Sequence, residues 1–481
     1  DLLLKSVKLL KENENIRQIY QERWQYIHID EYQDTNEVQY LMTRLLSEKT
    51  KNICVVGDAD QNIYSWRGAN LKNILSFEKD YPNAKIVLLE ENYRSTKNIL
   101  EAANEVIKKN KYRPDKNLFT ENKIGEKIGL YEALDETDEA DFVATKILEL
   151  VDGGKHVLER TIGRSGDDGQ REFSAENSRG ESENMFSEMA VLYRANFQSR
   201  VLEEAMLRYN IPYQVLGIKF FERKEIKDTL AYLRASLNPE SLSDIKRIIN
   251  FPTRGIGKAT MAKLFAKDIE GLPIKTKIKI NNFYKILEDI REKITTDKPS
   301  AVIKFVVKHS GIEESLSGST DEDIERLANI KELATLALKY DNIENGLGIE
   351  RLLEDAALAS DQDSMIINTE KKEVKNAVKL MTVHASKGLE FKYVFITGLE
   401  YGLFPNVRDG ETKTNEDSEE ERRLFYVALT RAKEKLFLSY TNFRTIFGSR
   451  NINAPSEFIA DIPADLLERE GEKNQIKTIY I

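Results

Sequence analysis

The chain has 481 residues, 41% of them hydrophobic and 32% charged, with a formal net charge of −9. That length suits two to four packed domains; no run of about 18 apolar residues is present to cross a membrane, and the single cysteine, Cys54, excludes an intrachain disulfide and fits a reducing cytoplasm. His28, His156, His309 and His384 are scattered without zinc spacing, and the acidic balance argues against a nonspecific polyanion binder while leaving room for local basic grooves.

Asp1-Leu2-Leu3-Leu4-Lys5 reads as the interior of a helix, so further sequence is expected before it. The first apolar run, Tyr26–Asp30, reads as a buried strand and ends in Asp30-Glu31. Two adjacent carboxylates at a strand's C-terminal edge face the crevice where open α/β sheets bind ligands. Asp30 suits Mg²⁺ and Glu31 suits orienting an attacking water, as nucleotide hydrolysis requires. A solvated acidic turn would explain a bare Asp-Glu pair equally well. The phosphate loop GxxxxGK[ST] that usually accompanies such a pair is missing. The nearest string, Gly255-Ile256-Gly257-Lys258-Ala259, has Pro252 in place of the first Gly and Ala259 in place of Ser or Thr.

A second strand, Asn52–Asp58, leads into Gly57-Asp58-Ala59-Asp60-Gln61 and Tyr64-Ser65-Trp66-Arg67-Gly68. Gln61 can reach a terminal phosphate. Tyr64 and Trp66 offer faces for base stacking, each stack contributing roughly 1–3 kcal/mol, and Arg67 can pair with a phosphate. An indole flanked by Ser, Arg and Gly is poorly suited to a core. A third strand is expected at Lys85–Glu90, followed by Tyr93 and Arg94, an aromatic face and a cation fit for adenine and γ-phosphate, with Ser95 as a helix cap.

Helices are expected at Asn98–Lys109, Asp138–Val151 and Gln198–Tyr209, and strands at Met189–Arg194 and Tyr213–Gly217. Between them, residues 153–188 are rich in Gly, Ser, Glu, Asp and Arg and cannot form a core. Residues 240–370 change to helical spacing, in Phe283–Ile294, Ala301–Val307 and Ile324–Tyr340, and read as an inserted helical subdomain. Within it, the turn Gly255-Ile256-Gly257-Lys258-Ala259-Thr260 opens a helix and offers N–H groups to an anion, although a plain αα turn has the same composition. Strand–helix alternation resumes with strands Lys379–His384, Val394–Leu399 and Lys435–Tyr440, so the fold class is α/β with parallel sheets. Thr382, His384 and Lys387 on a strand exit are donors for a nucleic-acid backbone, and Glu390 can accept from a ribose hydroxyl. An acidic loop is expected at Arg408–Asp417, then a helix at Glu419–Thr430 that brings Arg431 to its far end. Arg431 is either an arginine finger or part of an ordinary ion-paired helix.

Together these strings resemble the UvrD/Rep family of superfamily 1A DNA helicases, over roughly Asp1 to Leu467. Leu192-Tyr193-Arg194-Ala195-Asn196, Gly217-Ile218-Lys219-Phe220-Phe221-Glu222-Arg223, Tyr401-Gly402-Leu403-Phe404-Pro405 and Ala454-Pro455-Ser456-Glu457-Phe458 extend the match. The resemblance implies an ATP-driven, Mg²⁺-dependent 3′→5′ translocase and unwinding enzyme with RecA-like motor domains. The first motor would end within 1–94. The second would occupy 95–238 and 374–466 around a helical subdomain at 239–373, with a tail at 467–481. Asp30 and Glu31 would serve Mg²⁺ and the catalytic water. Gln61, Arg94 and Arg431 would contact the γ-phosphate, Tyr93 the adenine and Glu390 the ribose. Tyr64, Trp66, Arg67, Arg194, Asn196, Thr382, His384, Lys387 and Phe447 would line a single-strand track. Gly255, Ile256, Gly257, Lys258 and Thr260 would touch the duplex at a junction. Expected partners are single-stranded DNA, duplex junctions, and repair, replication-initiator or RNA polymerase proteins, with no membrane and a monomer or DNA-dependent dimer.

The chain departs from the family at Asn406, where a base-stacking histidine can stand, in the long stretch 153–188, and in the missing phosphate loop. Little ATPase activity is therefore expected of these 481 residues by themselves. A DNA-binding or regulatory module without motor activity is the second reading of the same strings.

Overall fold

A computed structural model describes residues 2–113, 116–152, 185–266, 272–317, 320–368, 376–407 and 414–471, with backbone alone for 359–368. Eleven strands are found among them: β1 (Ile27–Ile29), β2 (Ile53–Val55), β3 (Ile128–Ala133), β4 (Met189–Tyr193), β5 (Tyr213–Val215), β6 (Val378–Thr382), β7 (Phe391–Ile396), β8 (Ala432–Thr441), β9 (Phe443–Ile446), β10 (Ser449–Ile452) and β11 (Leu467–Arg469). Seven of them make one sheet in the order β11-β3-β8-β7-β4-β6-β5, and every neighbouring pair is parallel. β4 is buried along its whole length. A central strand covered on both faces needs an unbroken apolar run, which Met189-Ala190-Val191-Leu192-Tyr193 supplies.

Helices cover both faces. Ile99 and Val106 of the Lys97–Ile107 helix and Phe425 and Leu429 of the Asn415–Leu429 helix pack on one side. Val143 and Ile147 of Glu136–Val151 and Leu202 and Met206 of Ser199–Arg208 pack on the other. The stretch between β5 and β6 builds a separate helical core. In it Phe283, Leu287 and Ile290 meet Val302, Val306, Ile330 and Leu333. This is the expected α/β class with a helical body between two segments of the sheet.

The first lobe is smaller. Its sheet is the parallel pair β1–β2. The strand expected at Lys85–Glu90 is not there: the segment is extended but unpaired, with Ile86, Val87, Leu88 and Leu89 at 55%, 66%, 51% and 81% exposure. No neighbouring ladder receives it among the described residues; its end is held where Asn92 N–H meets Phe119 O at 2.7 Å, Phe119 N–H meets Glu90 O at 3.0 Å and Asn117 N–H meets Glu90 Oε1 at 3.1 Å. The acidic loop also ends earlier than expected. Thr414 caps a helix that already begins at Asn415, with Asp417 completing the capping box. Residues 153–184, 408–413 and 472–481 of the expected loops and tail lie outside the described residues.

One buried ionic cluster fixes the β9–β10 hairpin to the sheet. Arg444 donates to Glu139 Oε2 at 2.7 Å and to Glu400 at 2.7 and 2.8 Å, all three side chains being nearly inaccessible. Glu400 also accepts from Thr441 and Asn453, and Glu139 from Ser439 and the Gly398 N–H. Burial pushes the Glu139 carboxyl up, against the pull of Arg444. Arg444→Leu would leave two buried carboxylates facing each other without a cation. It is expected to cost about 3–5 kcal/mol at neutral pH, and less as acid neutralises the pair. Denaturant unfolding at two pH values checks this, and a loss that does not shrink in acid would contradict it.

Candidate functional site

The end of β1 is a strained turn. Glu31 adopts φ +48° and ψ +43°, a left-handed conformation uncommon outside Gly and Asn and costing of order 1 kcal/mol or more. Its N–H donates to Asp30 Oδ1 at 2.9 Å. Buried Gln33 holds the arrangement: its amide nitrogen donates to Glu31 Oε2, and its Oε1 accepts the Asp58 N–H at 2.9 Å. Gly57 passes so close that a Cβ there would meet Gln33 Oε1 at 2.5 Å and Tyr32 N at 3.1 Å. The Asp30 and Glu31 carboxylates both remain exposed at the lobe surface.

Gln61 follows β2 and is tethered by its own loop, its amide donating to Asp58 Oδ2 at 2.9 Å. Asp58 and Asp60 are in turn gripped from the other lobe. Arg113 makes a two-pronged contact with Asp60 at 2.9 and 3.1 Å, and Lys116 bridges Asp58 and Asp60. Further cross-lobe contacts run from Arg423 to Asn62 O at 2.8 Å, from Ser65 to Glu420, and from Tyr64 OH to His384 O at 3.1 Å. Sequence reasoning missed Arg113, Lys116, Glu420 and Arg423; the signal was the acid-rich string Gly57-Asp58-Ala59-Asp60, whose two carboxylates needed cations from elsewhere.

Arg94 and Arg431 lie on the same side of the cleft. Arg94 pairs with Glu390 at 2.5 Å and donates to Thr430 O at 3.2 Å. Arg431 is 2% exposed and donates to Val427 O at 3.0 Å, Leu389 O at 3.0 Å and Thr430 Oγ1 at 3.2 Å. Burial, and then the neighbouring Arg94, lower the Arg431 guanidinium to about 10, while Glu31 and Glu390 oppose this from a distance. This cation is held by carbonyls and a hydroxyl, and it is electrostatically suited to an anion. Tyr93 stands 78% exposed beside the pair, its hydroxyl on Glu91. Lys387 connects the two groups: its Nζ donates to Gln61 O at 2.8 Å and lies 3.5 Å from Glu31 Oε2, and Glu390, three residues on, pairs with Arg94.

A second cluster forms where β6 ends. The ring centroids of Tyr64 and Trp66 lie 6.3 and 6.2 Å from that of His384, and the Arg67 guanidinium lies 4.4 Å from the Trp66 ring. Trp66 is half exposed. Arg194, one residue past β4, pairs with Glu421 at 2.7 Å, and Asn196 bonds Glu325. Thr382 Oγ1 accepts the Ala385 N–H at 3.3 Å. Lys387 is 8% exposed against the first lobe, with its Nζ 5.3 Å from the Tyr64 ring centroid. Phe447 lies elsewhere, against the helical core, with Lys304 and Lys331 at 5.0 and 5.5 Å from its ring.

In the helical body, Gly255 has φ +69°, and Asn250 Oδ1 accepts the N–H groups of Arg254 and Ile256. Ile256 is 1% exposed, so its side chain belongs to the core and its N–H is already used. Gly257 caps the Lys258–Phe265 helix, which leaves the N–H groups of that helix's first turn, Thr260 included, facing outward. Among the described residues no group of three or more His, Cys, Asp or Glu could hold a metal, and no helix is long and apolar enough to cross a membrane.

Two family models match the chain: the UvrD/REP helicase N-terminal domain over residues 1–82 and the UvrD-like helicase C-terminal domain over residues 87–443. The chain is 40% identical to the ATP-dependent DNA helicase PcrA of Bacillus subtilis, over 99% of this chain and 63% of that protein. It is 41% identical to the PcrA of Staphylococcus epidermidis, over 100% and 63%, and 40% identical to that of Staphylococcus aureus, over 98% and 62%. The chain therefore spans under two thirds of the length of these curated relatives.

Burial lowers His384 to about 3, helped by Arg194 and Arg67. The unfolded chain takes up this proton near pH 6.5 and the folded one does not until about pH 3. Stability is therefore present above about pH 6.5 and declines as pH falls from there toward 3. His384→Gln is expected to flatten that decline in denaturant unfolding; an unchanged acid limb would show that His384 does not carry it. For Arg431 the sign places a cost on the folded state at neutral pH that is relieved above about pH 10. Arg431→Met is expected to leave the unfolding midpoint unchanged or raised, whereas truncating a well-paired buried cation would lose about 3–5 kcal/mol.

Proposed function

We propose, for a chain that belongs to the UvrD-like helicase family, that it forms the hydrolytic and strand-gripping part of an ATP-dependent, 3′→5′ single-stranded DNA translocase that unwinds duplex junctions. The observation that carries this reading is the pair Arg94 and Arg431, two guanidiniums side by side in a cleft whose opposite wall presents Asp30, Glu31 and Gln61. Such a cleft suits a polyanion whose terminal phosphoryl group is transferred to water.

In this reading Tyr93 stacks on adenine and Glu390, released from Arg94, accepts from the ribose. Arg94 and Arg431 stabilise charge on the γ-phosphoryl oxygens, and Gln61 senses that group through its amide. Glu31 orients the water and takes its proton as the water oxygen bonds phosphorus and the β–γ bridging bond breaks. Asp30 and Glu31 would hold Mg²⁺, which supplies charge neutralisation on the phosphates when bound. The residues present fit it: the exposed Asp30 carboxylate accepts only its neighbour's N–H among the hydrogen bonds found, and Mg²⁺ usually takes one or two carboxylates together with substrate phosphates. Tyr64, Trp66 and His384 form the stacking platform of the track, with Arg67, Arg194, Asn196 and Thr382 around it. The Gly255–Thr260 turn approaches the duplex through backbone N–H groups. A cytoplasmic location and work in repair or replication belong to the same reading.

In the whole protein, Glu31→Gln should leave ATP affinity within about twofold and lower DNA-stimulated hydrolysis by about a hundredfold or more. Steady-state turnover and equilibrium nucleotide binding, measured side by side, check it; retained turnover removes Glu31 from the role.

A further inference from the structure

The connection from β6 to β7 is residues 383–390 alone, although the two strands are parallel and β4 lies between them. Parallel neighbours usually need a crossover of a dozen or more residues. This short strap must return from the C-terminal edge of the sheet to its N-terminal edge, and it does so along the first lobe. His384 sits at one end, against Tyr64 and Trp66. Glu390 sits at the other, on Arg94. Lys387 stands between them. Its Nζ donates to Asp34 Oδ2 at 2.5 Å and to Gln61 O at 2.8 Å, and lies 3.5 Å from Glu31 Oε2. Two of the ammonium's three donors are used in the bonds to Asp34 and Gln61; Glu31 is an ion-pair contact, and the Tyr64 ring centroid lies 5.3 Å from Nζ. Among the described residues the Asp34 carboxylate has no other hydrogen-bond partner, its Oδ1 being buried and unbonded.

We infer that Lys387 is a positioning residue for the first lobe's carboxylates, not a contact to a nucleic-acid phosphate. Sitting between the stacking cluster and the cleft, it fixes Glu31 and the Gln61 backbone when the lobes meet. Movement of the strap at its His384 end then reaches the hydrolytic carboxylate through this one side chain. The inference rests on the reading of Glu31 given above.

The test compares Lys387→Met and Lys387→Arg with the native protein. In this chain, the salt dependence of binding to a labelled oligothymidylate is measured over about 50 to 200 mM salt. A phosphate contact contributes a slope of about 0.7 per phosphate on a single strand. The expected result is an unchanged slope for Lys387→Met; loss of about 0.7 overturns the inference. A double-mutant cycle of Lys387→Met with Asp34→Asn, read by unfolding, is expected to be strongly non-additive, and additivity overturns it. In the whole protein, Lys387→Met should lower kcat for DNA-stimulated ATP hydrolysis at least about tenfold with KM for ATP within about twofold, and Lys387→Arg should recover much of it. A rise in KM alone overturns the positioning role. Should Lys387→Met fail to fold, Lys387→Arg alone decides, by an unchanged slope and retained coupling to Asp34. If the native whole protein hydrolyses no ATP with DNA present, the functional reading fails separately, and the slope and the cycle still say which group Lys387 serves.

Discussion

The strap between β6 and β7 is the constraint on which the cleft depends. An eight-residue path cannot carry a covering helix and still skip a strand, so its side chains are forced against whatever lies beside the sheet. What lies there is the first lobe, and the strap's polar groups satisfy the polar ends of β1 and β2. The Asn415–Leu429 helix adds Glu420 and Arg423 to the same seam, and the loop after the Lys97–Ile107 helix adds Arg113 and Lys116. The two lobes are thus joined mainly by charge-assisted contacts. Such contacts are directional, and they flank one apolar anchor, Ile63 of the first lobe, which is fully buried in the core of the sheet.

The electrostatics of the cleft run opposite to those of the chain. The net charge is −9, yet two guanidiniums are held near each other, Arg94 paired with Glu390 and Arg431 held by carbonyls and a hydroxyl. Burying Arg431 against carbonyls keeps it in place at a cost to the empty protein. In the proposed function a phosphate oxygen would offer this guanidinium what neither carbonyl nor hydroxyl does. Glu31 shows the same trade on the other wall, in a left-handed conformation fixed only because Gln33, Asp58 and Gly57 leave it no alternative.

The fold was legible wherever an apolar run met a turn. β1, β2, β4, β5, β6, β7 and β8 lie within or overlap expected runs; the buried β4 needs a continuous apolar run, whereas β1, β2 and β5, expected as buried, are partly exposed. β3 was missed because Ile128-Gly129-Leu130-Tyr131-Glu132-Ala133 mixes Gly and Glu into a short edge-side run. Lys85–Glu90 misled for the opposite reason: its apolar content asks for a ladder that the described residues do not supply. Individual site residues were legible as chemistry, carboxylate pairs, stacking rings and cations, but not their partners. Nothing local in Asp60 announces Arg113, 53 positions on, and nothing local in Lys387 announces its bonds to Asp34 and Gln61 of the first lobe.

The seam between the sheet and the helical body follows the same logic on a larger scale. Each has its own apolar core, and the bonds between them are polar. Arg200 pairs with Glu332 at 2.6 Å, Arg223 reaches Asn329 at 2.8 Å and Ser199 at 2.9 Å, and Gly448 N–H donates to Thr335 at 3.2 Å. Arg200 is almost fully buried, Lys339 also pairs with Glu204 at 2.5 Å, and Phe447 packs against the helical core. Buried ion pairs add little net stability against apolar packing but enforce geometry while they last. A body joined to its neighbour in this way is held in one orientation without being fused to it. The Phe447 ring, flanked by Lys304 and Lys331 on the far side of the β9–β10 hairpin, marks where that orientation meets the Arg444 cluster. The hairpin links the ionic core of the sheet to the helical body, so the position of one is imposed on the other through a few named side chains, the Phe447 ring on the helical core among them.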